Sequence, residues 1–315
     1  MRRPAHTILG IGLLGGLLLV LGPAAHSKPD AAGRFRRILR IGTGKVETVP
    51  LEAYVAAVLP AEIGSRAPEA ALEAQAVAAR SYALAKSGRH QDEGADLCDG
   101  THCQVFQGLS RATPATRGAA EATLGLVLVQ GGRVIAAPFS ANCGGRTARP
   151  ADVWDDEEIP DLESVEDDAC LGTAGSAWTF RLPRTAIPAL GEALGLPEAR
   201  FLEVYGRDGG ERVTAVRLVG PGGKSLIVRG FDFRRSASEL WGWSTVRSTW
   251  FDLEETRPEY VLSGRGTGHG AGLCQTGAIV RAKRGETWEA ILAHYYRGAR
   301  VVALDVLEAA AQKRP

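Results

Sequence analysis

A glutamate near the end of a hydrophobic segment is the first residue whose type and setting could do chemistry. Glu62 lies between Ala61 and Ile63 in the segment LEAYVAAVLPAEI, residues 51–63. A carboxyl group with apolar neighbours can have a raised pKa and serve as a general acid at neutral pH. Taken alone, an exposed glutamate at a helix end is the simpler interpretation, because most glutamates lie on protein surfaces.

A second group of reactive side chains combines cysteine and histidine. Cys98, His102 and Cys103 follow one another closely, and His90 precedes them. Zinc takes up to four such ligands in a tetrahedral arrangement. A disulfide between Cys98 and Cys103 would explain the two cysteines equally well in an oxidising compartment. The spacing therefore leaves zinc and a disulfide open.

A glycine-rich stretch near the C-terminus carries a further histidine and cysteine. The segment GRGTGHGAGLCQTGA, residues 264–278, contains His269 and Cys274. So many glycines indicate backbone that passes close to a ligand or another chain. A nucleophilic Cys274–His269 pair is an alternative, although no third group that would orient the histidine can be named. The stretch lacks the strand–helix setting of a dinucleotide fingerprint, and no Walker lysine accompanies it, which argues against nucleotide binding.

The remaining cysteines, Cys143 and Cys170, lie in two polar segments, and we predict a structural disulfide between them. The chain has five cysteines in all. An odd count leaves at least one of them unpaired within the chain or assigned to a metal.

The N-terminus has the pattern of a secretory signal peptide. Arg2 and Arg3 precede an apolar run over residues 8–21, and small residues follow as far as Ser27. We therefore predict a signal peptide over residues 1–27 and an exported protein. An uncleaved membrane anchor is the alternative, but the run is shorter than the roughly 20 residues of a spanning helix.

Length and composition predict a globular protein of one large or two smaller domains. The chain has 315 residues, of which 45% are hydrophobic and 23% are charged, with a formal net charge of +1. This near balance argues against nucleic-acid binding, which usually needs a clustered basic excess.

Periodicity predicts a mixed α+β fold with helices and largely antiparallel hairpins. The first helix should end or kink at Pro60, which would leave Glu62 just past the helix end. A second helix is expected over residues 68–86. Further predicted helices cover residues 183–199, 231–240, 278–284 and 287–296, hairpins cover 36–49, 121–137 and 213–228, and extended segments cover 245–252 and 300–306.

Four separated segments, taken together, resemble the SpoIID/LytB family of lytic transglycosylases. They are the helical region Leu51–Leu84, CDGTHCQVFQG (98–108), FSANCGGRT (139–147) and the glycine-rich region with the helices after it, 264–296. Their order and spread cover most of residues 28–315, which the resemblance identifies as one catalytic domain, with two lobes around a cleft as a variant of that arrangement.

The resemblance implies an enzyme that cuts peptidoglycan glycan strands stripped of peptide stems, between N-acetylmuramic acid and N-acetylglucosamine. Glu62 matches the family's catalytic glutamate. Cys98, His102 and Cys103 match a zinc-binding set, and His90 is the looser fourth ligand of this structural zinc. Other residues on family motif positions are candidates for the substrate cleft: Gln75, Arg80, Tyr82, Gln104, Ser140, His269, Gln275 and Tyr295.

Two functions follow as expectations from this resemblance. In the first, Glu62 alone serves as acid and then base and yields a 1,6-anhydro sugar. A hydrolase would need a second carboxylate, for which Asp96, Asp99 and Asp152 are conceivable. In the second, the chain binds glycan without cleaving it and activates a cell-wall amidase, as some family relatives modify other wall hydrolases.

Overall fold

The computed structural model describes residues 34–154, 162–173 and 176–312. The signal peptide predicted over residues 1–27 lies outside these residues. The described residues form the helices α1 (Leu51–Glu62), α2 (Glu69–Ala85), α3 (Pro114–Ala122), α4 (Ile187–Leu194), α5 (Gly230–Trp241), α6 (Gln275–Lys283), α7 (Trp288–Tyr295) and α8 (Leu304–Gln312). No helix in the described ranges is both long and apolar enough to cross a membrane.

Short strands lie between and among these helices along the chain, often two or more in succession. They are β1 (Phe35–Arg40), β2 (Lys45–Pro50), β3 (Leu97–Cys98), β4 (Leu126–Gln130), β5 (Arg133–Val134), β6 (Phe139–Ser140), β7 (Ala177–Pro183), β8 (Phe201–Arg207), β9 (Val213–Val219), β10 (Ser225–Arg229), β11 (Phe251–Glu255), β12 (Glu259–Arg265), β13 (Leu273–Cys274) and β14 (Arg300–Ala303). Most pairings are antiparallel, and the predicted α+β class is confirmed.

A helical lobe forms the first hydrophobic core. Helix α2 lies at its centre and packs against α1, α3, α6 and α7. Its alanines make this close approach possible, since residues 74, 76, 78, 79 and 83 are all buried alanines. Two parallel pairings bring distant segments to this core: β3 pairs with β1, and β13 pairs with β6. These pairings fix the positions of Cys98, Ser140 and Cys274.

A second lobe, over residues 177–265, has its own core. It contains two three-stranded antiparallel sheets, in the orders β10-β9-β8 and β11-β12-β7, together with α4 and α5. Aromatic residues such as Phe233, Phe251 and Tyr260 fill its centre. The second lobe is inserted in the chain between Cys170 and Thr267. Its two connections reach the helical lobe at neighbouring points, because Asn142 contacts both Thr173 and Thr267.

The structure corrects several element boundaries. Helix α1 continues through Pro60 and includes Glu62, because Val58 and Leu59 remain buried in the core and the proline removes only one hydrogen bond near the helix end. Helix α3 was not predicted. The expected strand over 300–306 stops at Ala303, where the helix-favouring sequence of α8 begins. Most of the segment 245–252 is irregular, and strand begins only at Phe251.

Candidate functional site

Glu62 is half-buried at the C-terminal end of α1, with two polar neighbours. Its Oε1 accepts a hydrogen bond of 2.8 Å from the backbone N–H of Val105, and the side chain of Gln275 also bonds to it. Burial raises the pKa of the Glu62 carboxyl group, and these two hydrogen bonds act in the opposite direction. The net rise favours a protonated carboxyl group that can donate a proton.

Two glutamines link the Glu62 region to α2 and α6. Gln275 Nε2 lies 3.4 Å from Gln75 Oε1, although the two residues are far apart in the sequence. Both side chains are buried, and Gln75 Nε2 has no hydrogen-bond partner among the described residues. The structure therefore brings together Glu62, Gln75 and Gln275, three of the residues predicted from the sequence.

A cleft with a cavity of about 620 Å³ lies between the two lobes. Tyr82 and His269 line this cavity, as do His102 and Cys103, whereas Glu62 is not among the lining residues. Five aromatic rings and four guanidinium groups dominate its walls: Tyr82, Phe139, Trp154, Phe231, Trp243, Arg89, Arg229, Arg234 and Arg235. Cations outnumber the two acidic lining residues, Asp232 and Glu239, so the cleft favours an anionic ligand with flat apolar faces.

His269 is held in place within this cleft. Its ring packs on Trp154 at a centroid distance of 4.6 Å, and its Nδ1 accepts a hydrogen bond from the Ala271 N–H. Burial lowers the pKa of His269 to about 3, and the positive charge of Arg234 contributes in the same direction. The imidazole is therefore neutral at physiological pH, and it lies in the wall of the cleft with a further hydrogen bond to the Phe139 backbone.

Three other predicted cleft residues are buried with partners inside the protein. Arg80 is bonded to Glu52, Gln104 donates to the Ala79 carbonyl and accepts from Tyr54, and the Tyr295 hydroxyl donates to Asp167. Arg80 is completely buried, and the other two are only 1% exposed. These three residues stabilise the helical lobe and do not line the cleft.

Ser140 connects β6 to the glycine-rich stretch. Its hydroxyl donates to the Thr267 carbonyl at 3.1 Å and accepts from the Gly270 N–H at 3.0 Å. A Cβ atom on Gly268 would lie 2.4 Å from the Ser140 hydroxyl, and one on Gly272 would lie 1.9 Å from the Pro138 carbonyl oxygen. The glycines therefore permit a close approach, as predicted, and the neighbour is the segment around Ser140 in the same chain.

The predicted metal ligands converge on one point beside the cleft. The ligand atoms of His90, Cys98, His102 and Cys103 all lie within 4.8 Å of one another. His90 Nε2 is 3.2 Å from His102 Nδ1, which lies 3.9 Å from Cys98 Sγ and 3.8 Å from Cys103 Sγ. A hydrogen bond between the two thiols lowers the pKa of Cys98 and raises that of Cys103, so Cys98 is the thiol that loses its proton first.

These distances fit a single tetrahedral ion. With metal–nitrogen and metal–sulfur bonds of about 2.0 and 2.3 Å, tetrahedral geometry places two nitrogens about 3.3 Å apart and a nitrogen and a sulfur about 3.6 Å apart. Cys98 and Cys103 are not joined by a disulfide. The four side chains thus form a possible metal-binding cluster, and His90 is part of it.

The alternative nucleophile pair is not assembled. Cys274 Sγ is buried and accepts hydrogen bonds from the backbone N–H groups of Cys143 and Gly277, while His269 is engaged with Trp154 and Ala271. The predicted Cys143–Cys170 disulfide is not formed, because the two sulfur atoms lie 3.4 Å apart.

Sequence reasoning missed most of the cleft wall. Arg89 follows α2 and donates to the Tyr82 hydroxyl at 2.9 Å, whereas Trp154, Arg234 and Trp243 come from the region joining the lobes or from the second lobe. No local pattern marks these residues, because only the packing of the second lobe against the first brings them to one cavity.

Comparison with known proteins finds a family match for the part of the chain that carries Glu62 and the Cys–His cluster. The SpoIID model, described as a stage II sporulation protein, matches residues 40–130. Over these residues the chain is similar to the SpoIID family. The matched residues include α1, α2 and all four possible metal ligands, but nothing of the second lobe.

Three relatives extend the similarity along the chain. It is 28% identical to an uncharacterised protein of Brachyspira hyodysenteriae, over 82% of this chain and 68% of the relative. It is 26% identical to the stage II sporulation protein D of Bacillus amyloliquefaciens, over 85% of this chain and 78% of the relative. It is also 26% identical to the amidase enhancer of Bacillus subtilis, over 76% of this chain but only 39% of that longer protein.

Proposed function

We propose that this protein is an exported lytic transglycosylase that cleaves peptidoglycan strands, with Glu62 as its general acid and base. The observation that carries the proposal is the setting of Glu62, a half-buried carboxyl group whose pKa is raised by burial and which contacts Val105 and Gln275. A raised pKa makes the carboxyl group better suited to give a proton to a leaving oxygen.

One carboxyl group is sufficient for both proton transfers. The Glu62 proton passes to the glycosidic oxygen between N-acetylmuramic acid and N-acetylglucosamine as the bond from that oxygen to the anomeric carbon breaks. The 6-hydroxyl oxygen of muramic acid then bonds to the anomeric carbon, and its proton returns to Glu62. The product is a 1,6-anhydro sugar, and no water is consumed.

The surroundings of two of the three other candidate carboxylates favour this reaction over hydrolysis. Asp96 and Asp99, two candidates for a second catalytic carboxylate, are bonded to Arg37 at 3.1 Å and to Arg40 at 3.2 Å. Hydrogen bonds from Arg37 outweigh burial and lower the pKa of Asp96. Both residues therefore serve to hold β1 against the loop around Cys98.

The chemistry of the cleft suits a peptide-free strand. Removing the peptide stem leaves a free carboxylate on each muramic acid, which can pair with guanidinium groups such as those of Arg89 and Arg235. Aromatic rings such as Trp154 and Trp243 offer apolar faces to the sugar rings. Mass spectrometry of products from stripped strands tests the function, and 1,6-anhydro-muramic ends are expected.

We assign zinc to the cluster of His90, Cys98, His102 and Cys103 as a structural ion. Two thiolates and two imidazoles form one of the usual closed zinc sets, which leaves no coordination position for an activated water. When bound, the ion would fix the loop that leads directly into Gln104 and Val105, and Val105 donates to Glu62.

The zinc assignment predicts that Cys98→Ser loses one zinc ion per chain. Elemental analysis of protein purified without added zinc measures this loss. Thr101→Ala, in the same loop, is the matched control and should keep its metal. An unchanged zinc content in Cys98→Ser, or a stoichiometric Cys98–Cys103 disulfide in the wild type, would contradict the assignment.

A second prediction concerns the pH dependence of cleavage. The hydrogen bond from Gln275 lowers the pKa of Glu62, so its loss in Gln275→Met should raise that pKa. Because the acid must be protonated, the alkaline limb of the pH–rate profile should move to higher pH. Gln107→Met, at an exposed position, should leave the limb in place, and a shift of Gln275→Met to lower pH would contradict the role of this bond.

A glycan-binding activator of an amidase is the second candidate, favoured by the similarity to a protein named amidase enhancer. In that function the cleft would bind strands, and no Glu62-dependent product would appear. Purified protein that binds stripped strands, releases no anhydro product from stripped or intact strands, and stimulates a cell-wall amidase would establish it.

A further inference from the structure

A second cluster of potential metal ligands lies in the buried interior of the protein. Cys143, Asp167, Cys170 and Cys274 are all buried, and their ligand atoms lie within 4.8 Å of one another. The four residues come from the loop after β6, the loop before the second lobe, and β13. None of them takes part in the proposed chemistry of Glu62 or in the cluster around Cys98.

The geometry points to a structural zinc ion held by Cys143, Cys170, Cys274 and Asp167, and this inference does not depend on the proposed catalytic function. Cys143 Sγ lies 3.4 Å from both Cys170 Sγ and Asp167 Oδ2. A disulfide would bring two sulfurs to about 2.05 Å and leave the other two ligands unused, whereas tetrahedral zinc places two sulfurs about 3.8 Å apart.

Backbone amides around the cluster are arranged to support thiolates. Cys274 Sγ accepts hydrogen bonds of 3.3 Å from the N–H groups of Cys143 and Gly277. The amides of Gly144 and Gly145 bond to Cys170. Hydrogen bonds from amides stabilise a negatively charged sulfur, which is the form that binds metal.

The fourth ligand, Asp167, is oriented by its own partners. The Tyr295 hydroxyl donates to Asp167 Oδ2 at 2.8 Å, and Arg281 lies 3.5 Å from Oδ1. A Cβ atom on Gly277 would lie 2.1 Å from that hydroxyl and 2.2 Å from Oδ2, so glycine leaves the room for this contact. Partners of this kind orient metal ligands in many zinc sites.

Nearby cations offset the charge that such a site would carry. Three thiolates and one carboxylate around a divalent ion leave an excess of negative charge. Arg212 is buried, donates to the Cys143 carbonyl, and has one terminal nitrogen, Nη1, without a hydrogen-bond partner among the described residues. Arg212 and Arg281 together supply the compensating positive charge. A cluster of neutral thiols would not require such buried cations.

The position of the site indicates its role. Cys170 lies in the segment that leads into the second lobe. Cys143 lies just after β6, which pairs with β13 after the glycine-rich stretch that leads out of that lobe. The ion would therefore join both connections of the second lobe to the helical lobe. Cys274 directly precedes Gln275, which bonds to Glu62. The ion would therefore position the second lobe and Gln275 together, and its closed set of four ligands makes it structural.

Zinc stoichiometry and thiol counting test this inference on the exported protein. We expect native mass spectrometry to find two zinc ions per chain, of which Cys98→Ser loses one and Asp167→Asn loses the other or binds it at least about tenfold more weakly. Denaturation without reductant, followed by alkylation, should label all five cysteines.

Asp167→Asn keeps the size of the side chain, and Glu166→Gln, at the exposed neighbouring position, is the matched control that should retain both ions. If Asp167→Asn does not fold, the zinc and thiol counts of the wild type still test whether this cluster holds a metal ion. The inference is overturned if the wild type holds no zinc or only a zinc that Cys98→Ser loses, if Cys143 and Cys170 form a disulfide, or if a folded Asp167→Asn protein keeps all the zinc of the wild type.

Discussion

Replacing Glu62 by glutamine is expected to reduce the release of anhydro-muramic products by at least about a hundredfold. Glutamine keeps the size of the side chain and can still accept the hydrogen bond from Val105, but it cannot exchange a proton. General acid–base assistance usually contributes about 10²–10⁴-fold, and here the same group performs both transfers. The loss should appear in kcat, while binding of stripped strands is retained.

The control for this experiment is Glu121→Gln, which changes an exposed glutamate on α3 and should leave cleavage unchanged. The product must be identified as well as the rate. A reducing-end sugar would indicate a hydrolase with a second carboxylate. Undiminished cleavage by Glu62→Gln would remove this residue from the mechanism, whereas absence of cleavage by the wild type would favour the activator function.

The parts of the site that can be predicted from the sequence are those whose residues lie close together along the chain. Cys98, His102 and Cys103 lie in one loop, and the apolar helix before Glu62 is visible from its periodicity. His90 joins the cluster because the turn after α2 brings it back beside this loop. The sequence leaves zinc and a disulfide equally open, and only the three-dimensional spacing of four ligand atoms indicates a possible metal-binding cluster.

The parts that were missed depend on contacts between distant segments. The sequence predicts a Cys143–Cys170 disulfide and a separate Cys274, because it does not show that β13 lies beside β6. The same holds for the cleft, where Trp154 and Arg234 meet Tyr82 only through the packing of the second lobe. Arg80 matched a family position, but its burial beside Glu52 could not be inferred from an alanine-rich helix.

That buried pair gives the largest expected effect on stability. Arg80 is completely buried, and its Nε and Nη2 donate to both carboxylate oxygens of Glu52, at distances that include 2.8 Å. Arg80 also donates to the carbonyl groups of Ala120 and Leu126, so it joins α1, α3 and β4. Glu52→Gln removes the negative charge and leaves a buried guanidinium uncompensated, which typically costs about 3–5 kcal/mol.

In urea unfolding, Glu52→Gln should therefore lose about 3–5 kcal/mol of the free energy of unfolding. The control is Glu259→Gln, which breaks the surface pair of Arg181 and Glu259 and should lose no more than about 1 kcal/mol. The double variant Glu52→Gln/Arg80→Met tests the cause. Because methionine carries no charge into the core, the double variant should be more stable than Glu52→Gln alone, despite losing the bonds to Ala120 and Leu126. If it is less stable, those carbonyl bonds, and not the ion pair, are the main contribution of Arg80 to the helical lobe.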